Sequence, residues 1–242
     1  MQRPPGLHQE VFNDLNNDLI NFWMMTRDHP EELQACVDTL PYSRTIFEQY
    51  RACLRAGEPL NDLERAARWF YLLRSTFGGH PRFKGWGYCT SEGKWQAQAL
   101  RSATALLVQV AERFRLVQIE NPDFERLIQT YQTPRTLFYC DPPYIGCEAP
   151  YKVGDAPLFT EQDHRRLAVL LNETPSLVVL SYYEHPWLDN LYPTSRWRRM
   201  IWAQSKAIER TRGSRQLGRE VLLMNYPESL GGLWQEQPIE TA

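Results

Sequence analysis

The sequence predicts an α/β fold: a doubly wound, mainly parallel sheet that ends in an antiparallel β-hairpin. Short apolar strands alternate with helical segments between residues 116 and 183, which is typical of such sheets. Two strand-like segments, 196–204 and 219–227, flank a basic loop and predict the terminal hairpin. A helical stretch from 30 to 115 interrupts the alternation, which indicates an inserted subdomain.

The first half of the chain predicts one strand followed by helices. Residues 10–13, EVFN, end a strand, and Leu15, Leu19 and Phe22 then recur at helical spacing. Pro30 suits the first turn of a second helix, and the acidic residues after it favour a helix N-terminus. Amphipathic spacing predicts three further helices, at 43–56, 60–76 and 95–114.

The second half predicts the strands of the sheet and the helices between them. Residues 116–131 form a short strand, an acidic turn and a helix, and 136–144, TLFYCDPPY, form an almost uninterrupted apolar strand. Such a strand is expected to be buried on both faces. Thr160 begins a helix with a capping-box pattern, which runs to about Asn172, and 176–183 form another buried strand.

Composition excludes several classes of protein. The chain has 242 residues, 43% of them hydrophobic, and no apolar run of about 18 residues, so we expect no membrane span. The N-terminal residues contain no apolar signal segment, so we expect a cytoplasmic, nucleoid-associated protein. The five cysteines share no C-x-x-C spacing, which favours reduced thiols over disulfides or a zinc site.

Charge is distributed unevenly along the chain. The formal net charge is −2, and residues 1–64 carry 11 acidic and 5 basic side chains. Residues 74–115 carry 7 basic and 2 acidic side chains, and residues 196–219 carry 8 basic and 1 acidic. Two basic blocks on an acidic chain are compatible with a phosphate-binding face or with an ordinary solvated surface.

The motif that carries chemistry is Asp141-Pro142-Pro143-Tyr144, which ends the apolar strand at residues 136–144. Ligands of open α/β sheets bind at the carboxyl ends of strands. A carboxylate beside a fixed carbonyl can accept both hydrogens of an exocyclic amine, and an exposed tyrosine can stack on the attached base. The alternative is a strand-ending turn with a solvated aspartate. The buried strand and the aromatic ring favour the amine-binding interpretation.

The stretch F-Y-C-D-P-P-Y resembles the catalytic motif of the Dam-type adenine-specific DNA methyltransferases. Similar segments extend from about residue 10 to 227 and include VVLSYYEHP and EVLLMNYP at the closing strands. The resemblance implies a Rossmann-like methyltransferase sheet. It also implies direct, metal-free transfer of a methyl group from S-adenosylmethionine to N6 of a flipped adenine, with Asp141, Pro142, Pro143 and Tyr144 as the catalytic motif.

The resemblance also implies cofactor-binding residues. Asp14 follows the family's second strand, where an aspartate holds the cofactor ribose, although it could instead cap the following helix. Asp123 lies in the segment whose aspartate meets the cofactor adenine, although it could be only a turn former. Asp141 is assigned to the cofactor site as well. His164, beside Asp163 on a helix, is assigned no catalytic role.

The DNA-binding residues are expected in the helical insertion and in the basic hairpin loop. The stretch LLRSTFGGHPRF resembles the family's DNA-contacting segment, with Gly78 in place of the usual asparagine. We assign phosphate or DNA contacts to five basic side chains: Arg74, Arg82, Lys84, Arg212 and Arg215. The expected partner is double-stranded DNA, and we expect a monomer.

One segment of the family pattern is not found. The family begins with a strand ending in a Phe-x-Gly-x-Gly loop, and only nine residues precede Glu10 here. In the family's sheet that strand lies between the strands ending at Asp14 and Asp141. The sequence therefore predicts a sheet without its first strand, in a truncated or mis-started chain of phage-like type, with reduced or no activity.

The predicted domain organisation follows from these assignments. The methyltransferase core comprises residues 1–29 and 116–227, the helical target-recognition insertion comprises 30–115, and 228–242 form a tail. The predicted role is that of a restriction-modification type methyltransferase. Two other functions stay open: a catalytically inactive DNA-binding remnant, and a methyltransferase that acts on RNA or protein.

Overall fold

The computed structural model describes residues 8–77, 83, 85–89, 95–148, 157–205 and 217–227. Within them, helices outnumber strands, and the order of the elements follows the predicted order. The helices are α1 (Asn17–Asp28), α2 (Pro30–Asp38), α3 (Arg44–Ala56), α4 (Asp62–Ser75), α5 (Gln96–Ala105), α6 (Leu107–Phe114), α7 (Phe124–Tyr131), α8 (Glu161–Glu173) and α9 (Trp187–Leu191). The strands are β1 (Glu10–Asn13), β2 (Val117–Glu120), β3 (Leu137–Cys140), β4 (Leu177–Tyr183), β5 (Arg198–Ser205) and β6 (Leu217–Met224).

The chain forms two compact units. The first comprises residues 1–123 with 150–157, and the second comprises 124–149 with 158–242. The mixed α/β fold predicted from the sequence is confirmed by the described strands. They form a two-stranded sheet in the first unit and a four-stranded sheet in the second. The predicted division into core, insertion and tail stays a prediction, and the tail lies outside the described residues.

The first unit combines a short parallel sheet with a helical core. Strands β1 and β2 pair in parallel from Glu10 opposite Val117 to Asn13 opposite Glu120. The core of the helices is apolar and contains the fully buried Phe47. Parallel pairing brings the carboxyl ends of both strands to the same edge of this sheet.

The helix predicted over 95–114 is wrong in one respect, because the structure divides it into α5 and α6. Leu106 lies between them with φ −85° and ψ −10°. Near the end of α5, the Thr104 hydroxyl donates to the Leu100 carbonyl at 2.9 Å. Back-bonding of a threonine to the residue four positions earlier bends helices, which gives a local reason for the break.

The second unit contains a mixed sheet in the order β3-β4-β6-β5. Strands β3 and β4 are parallel, and β5 and β6 form the predicted antiparallel hairpin. Strand β4 is buried along most of its length, as predicted. The prediction that β3 is buried on both faces is wrong, since Leu137 is 37% exposed and Tyr139 is 65% exposed.

Helix α8 begins as the sequence predicted. The Thr160 hydroxyl accepts from the backbone of Asp163, and the Asp163 carboxylate accepts from the Thr160 backbone at 2.8 Å, which completes the capping box. No helix in the described part of the chain is long and apolar enough to cross a membrane. The five cysteines, all among the described residues, form no disulfide with one another.

Helix α8 provides a stability prediction with a matched control. Leu171 is fully buried against the sheet of the second unit, whereas Val169 on the same helix is 56% exposed. Leu171→Ala should lower the free energy of unfolding by about 2–5 kcal/mol, because it leaves a cavity in the core. Val169→Ala should change it by less than about 0.5 kcal/mol. Urea unfolding of both variants measures the difference, and equal losses would contradict the assignment of this core.

Candidate active site at the end of strand β3

The Asp141–Tyr144 motif begins directly after β3, at the carboxyl end of a strand that pairs in parallel with β4. Asp141 is exposed, and both prolines and Tyr144 are partly buried. Two consecutive prolines offer no backbone N–H for further pairing, which explains why the strand stops here. Among the described residues, no group donates a hydrogen bond to the Pro142 carbonyl. A carboxylate and an unused carbonyl are therefore adjacent at this corner.

Tyr144 is half-buried rather than exposed as the sequence suggested. Its hydroxyl lies 2.7 Å from the Ser181 hydroxyl on β4 and 2.7 Å from Glu220 Oε1 on β6. Its ring meets that of Tyr183 edge-on, with centroids 4.6 Å apart. Burial raises the pKa of Tyr144, so the phenol keeps its proton at neutral pH.

The electrostatic environment raises the pKa of Asp141. Desolvation of the carboxylate by the surrounding protein is the main cause, and the negative charge of Glu220 adds to it. When the surroundings of a carboxylate disfavour its negative charge, a nearby positive charge stabilises the ionised form strongly. The corner is therefore suited to a group that becomes positive.

A tight turn holds the residues after the motif. The Cys147 N–H donates to the Tyr144 carbonyl at 2.8 Å, and Gly146, the third residue of this turn, has φ +80°. A type II turn requires that left-handed conformation at its third residue, where glycine is favoured. Ile145, the second residue of the turn, is buried in the core of the second unit, which holds the turn against that core.

The turn is also connected to a buried histidine that the sequence analysis set aside. His164 on α8 is fully buried, and its Nε2 lies 3.2 Å from Glu148 Oε1, which also accepts from the Gly146 N–H at 2.8 Å. His164 Nδ1 lies 2.8 Å from the Tyr182 hydroxyl. Since a carboxylate only accepts, Nε2 carries the proton and Nδ1 accepts from Tyr182.

This histidine predicts a pH dependence of stability. Burial lowers the pKa of His164, so the unfolded state binds its proton more readily than the folded state. The stabilisation is complete above the unfolded pKa of about 6.5 and is lost as the pH falls below it. The pKa of Glu148 is also lowered, but its contribution disappears only below about pH 4.5.

We expect the free energy of unfolding to fall between pH 7 and pH 5, and His164→Gln should flatten that fall. Val169→Ala, an exposed substitution on the same helix, provides the control and should leave the slope unchanged. Urea unfolding at several pH values measures the slope. An unchanged slope in His164→Gln would contradict the assignment of His164 as a neutral buried side chain.

A second group of carboxylates lies at the strand ends of the first unit. Asp14 follows β1 and Asp123 immediately precedes α7, three residues after β2. The Asn121 side chain donates to the Asp14 carbonyl at 2.6 Å, and the Asn13 side chain donates to the Pro122 carbonyl at 3.2 Å. These bonds join the two loops, so the carboxyl ends of β1 and β2 form one continuous edge.

Asp14 is not the cap of α1. That role belongs to Asn16, whose side chain accepts from the backbone of Asp18 and Leu19. Asp14 Oδ1 instead accepts from the Asn16 N–H at 2.7 Å, and no bond to Oδ2 is found among the described residues. Burial raises the pKa of Asp14, and the bond from Asn16 opposes that effect. A partly desolvated carboxylate with one unused oxygen is suited to a ligand hydroxyl.

The predicted DNA-binding residues are placed only in part. Arg74 is exposed in the last turn of α4, without a carboxylate partner among the described residues. Further along the chain, the Gly87 N–H donates to the Ser75 carbonyl at 2.7 Å, so Gly87 lies beside the end of α4. The other four predicted contacts lie outside the described residues: Arg82, Lys84, Arg212 and Arg215.

Sequence reasoning missed the side chains that surround the motif. Ser181 and Glu220 contact Tyr144 from 37 and 76 residues away, so no local pattern could identify them. Tyr139 lies two residues before Asp141 on the exposed face of β3, and strand alternation could have found it. In the described part of the chain, no group of three or more His, Cys, Asp or Glu side chains could hold a metal ion.

A mixed α/β fold with small sheets and this strand-end corner is consistent with a methyltransferase fold. Residues 7–206 match the D12 class N6 adenine-specific DNA methyltransferase family, and the chain belongs to that family. The chain is also similar to the type II methyltransferase M1.LlaDCHI of Lactococcus lactis subsp. cremoris. The two are 24% identical over 234 residues, which cover 89% of this chain and 79% of the relative.

Proposed function

We propose that this protein methylates N6 of adenine in double-stranded DNA with S-adenosylmethionine as cofactor, as a modification enzyme of the restriction-modification type. The observation that supports this most strongly is the corner after β3, where the Asp141 carboxylate adjoins a Pro142 carbonyl that no described residue uses. Membership of an N6 adenine-specific DNA methyltransferase family supports the same reaction at this corner. The roles of the individual residues follow from their positions.

Asp141 and the Pro142 carbonyl accept the two N–H hydrogens of the adenine amine. Accepting both hydrogens draws the nitrogen lone pair out of conjugation with the ring and directs it away from the corner. As the nitrogen reacts it becomes positive, and the carboxylate stabilises that charge more in the transition state than in the ground state. The raised pKa of Asp141 also prepares it to take up the proton that the nitrogen then releases.

Tyr144 supplies the surface on which the flipped base stacks. A base removed from the helix loses its stacking neighbours, and an aromatic ring in the pocket restores that contact. Pro142 and Pro143 keep the ring and the carboxylate in a fixed relation, because each proline fixes its own φ. The corner therefore holds both the amine and the ring of one base.

Asp14 and Asp123 would hold the adenosine part of the cofactor. Asp14, whose Oδ2 has no hydrogen bond among the described residues, would accept from the ribose hydroxyls, and Asp123 would contact the adenine. When bound, the cofactor supplies an electrophilic methyl group. Asp141 is proposed to contribute to cofactor binding as well, as the resemblance to the family implies.

The contribution of Asp14 can be measured in isolation. Asp14→Ala should weaken the binding of S-adenosylmethionine by about 10- to 100-fold, because hydrogen bonds to a charged group contribute about 1.5–3 kcal/mol. Asp38→Asn, at an exposed position on α2, should leave the affinity unchanged. Isothermal titration calorimetry measures both variants. Equal affinities of Asp14→Ala and the parent protein would contradict the cofactor assignment.

DNA binds through exposed basic side chains, and Arg74 is the one of the five proposed contacts that lies among the described residues. Arg82, Lys84, Arg212 and Arg215 are proposed to contribute in the same way. Contacts of this kind are to phosphates, so affinity should fall steeply with salt.

The function is tested by offering three polymers to the purified chain with methyl-labelled S-adenosylmethionine: unmethylated genomic DNA, RNA and unrelated protein. Label in DNA supports the proposal. Label in RNA or protein alone would establish the alternative substrate class. DNA binding without cofactor binding or transfer would identify an inactive DNA-binding remnant.

A further inference from the structure

The hydroxyl of Tyr144 is held by two side chains that neither the motif nor the family assignment includes. Ser181 is 3% exposed in the middle of β4, and Glu220 lies on β6. Both approach the phenol oxygen to 2.7 Å. We call Ser181 and Glu220 the hydroxyl clamp.

The direction of each hydrogen bond follows from the chemistry of the groups. An ionised carboxylate can only accept, so the Tyr144 O–H donates to Glu220 Oε1. The phenol has one hydrogen, so the Ser181 hydroxyl donates to the Tyr144 oxygen. The phenol thus uses its donor and one acceptor site on two different strands, and two directional bonds restrict rotation and tilt of the ring.

The register of the sheet explains why these groups meet. Tyr183 pairs with Glu220 across β4 and β6, so these two side chains share one face of the sheet, as does Ser181, two residues before Tyr183. The Tyr183 ring contacts the Tyr144 ring edge-on from that same face. The clamp is therefore built on paired strands of the second unit and not on a loop.

We propose that Ser181 and Glu220 are positioning residues that hold the Tyr144 ring in the orientation in which it stacks on the target base. They touch neither base nor cofactor in this arrangement, and they act through the phenol oxygen. This inference rests on the proposed function, because it assigns a purpose to the orientation of Tyr144.

The test is a double-mutant cycle between each clamp residue and the phenol hydroxyl. With Tyr144 present, Ser181→Ala and Glu220→Ala should each lower kcat by about 3- to 10-fold, the effect of one hydrogen bond. The KM for S-adenosylmethionine should stay unchanged. In the Tyr144→Phe background, Ser181→Ala should alter kcat by less than about 2-fold, because the group through which it acts is gone. Glu220→Ala should lose less there than with Tyr144 present, since only the effect of its charge on Asp141 remains.

A conservative variant separates positioning from a general structural effect. Glu220→Gln keeps an acceptor for the Tyr144 hydroxyl and should retain most of the kcat that Glu220→Ala loses. Equal losses from Ser181→Ala in the parent and the Tyr144→Phe backgrounds, or no rescue of Glu220→Ala activity by glutamine, would overturn the inference.

A second readout tests the clamp without activity. The same cycle measured by urea unfolding should show coupling between Ser181 and the Tyr144 hydroxyl, and additive effects would overturn the inference. If the parent protein transfers no methyl group while this coupling is present, the proposed function fails and the clamp stands. If the parent protein is active and the clamp variants match it, the inference alone fails.

Discussion

Asp141→Asn is expected to lower kcat for methyl transfer to DNA by at least about 100-fold. Asparagine has nearly the size and shape of aspartate, but it cannot balance the positive charge that develops on the amine nitrogen. Removing one preorganised electrostatic contact to a transition state costs about 10²–10³ in kcat. The KM for S-adenosylmethionine should change much less, because Asp14 and Asp123 hold the adenosine part.

Single-turnover rates with labelled cofactor measure this effect. Glu173→Gln is the matched control, since Glu173 is an exposed carboxylate at the end of α8, in the same unit. That control should keep the parent rate. A rate for Asp141→Asn within about 3-fold of the parent would show that Asp141 does not carry the reaction.

Tyr144→Ala is expected to have the second largest effect, a loss of about 5- to 150-fold in kcat/KM for DNA. Stacking of a base on an aromatic side chain contributes about 1–3 kcal/mol, and alanine removes the ring entirely. Tyr144→Phe keeps the ring and loses only the hydroxyl that contacts Ser181 and Glu220. The phenylalanine variant should therefore lie between the parent and the alanine variant.

Steady-state kinetics with duplex DNA measure kcat/KM for the parent protein and for both Tyr144 variants. Tyr139→Ala provides a comparison with a second tyrosine near the motif, since Tyr139 is exposed on β3, and it should impair kcat/KM less than Tyr144→Ala does. A Tyr144→Ala variant as active as the parent, or a phenylalanine variant as impaired as the alanine variant, would contradict a stacking role for the ring.

Features that depend on neighbouring residues were predictable. Strand β1, the Pro30 start of α2 and the Thr160 capping box all follow from short patterns, and the structure has each of them. The terminal hairpin was also predictable, since two strand-like segments flank a basic loop. In these cases local propensity and tertiary packing favour the same structure.

Features that depend on distant contacts were not predictable. The apolar composition of β3 suggested burial on both faces, but burial is decided by what packs on each face, and Tyr139 remains exposed. The resemblance to the family implies a further strand between β1 and β3. Among the described residues β1 pairs with β2 and β3 with β4, and the additional strand stays a matter of prediction.

In the candidate site, too, local features were predictable and features that depend on distant contacts were not. A strand-ending acid, two prolines and a tyrosine identified the corner from the sequence alone. The half-buried state of Tyr144 and the neutral, buried His164 depend on side chains from other strands and helices. Such contacts are specified by the fold and not by the spacing of residues along the chain.

The central claim is that the corner formed by Asp141, Pro142 and Tyr144 holds the exocyclic amine of an adenine. The most direct test is mass spectrometry of the nucleosides from DNA that the protein has methylated. We expect N6-methyldeoxyadenosine as the product, formed at least about 100-fold more slowly by the Asp141→Asn variant. Methylation of a ring carbon such as C5 of cytosine, or undiminished product from Asp141→Asn, would contradict it.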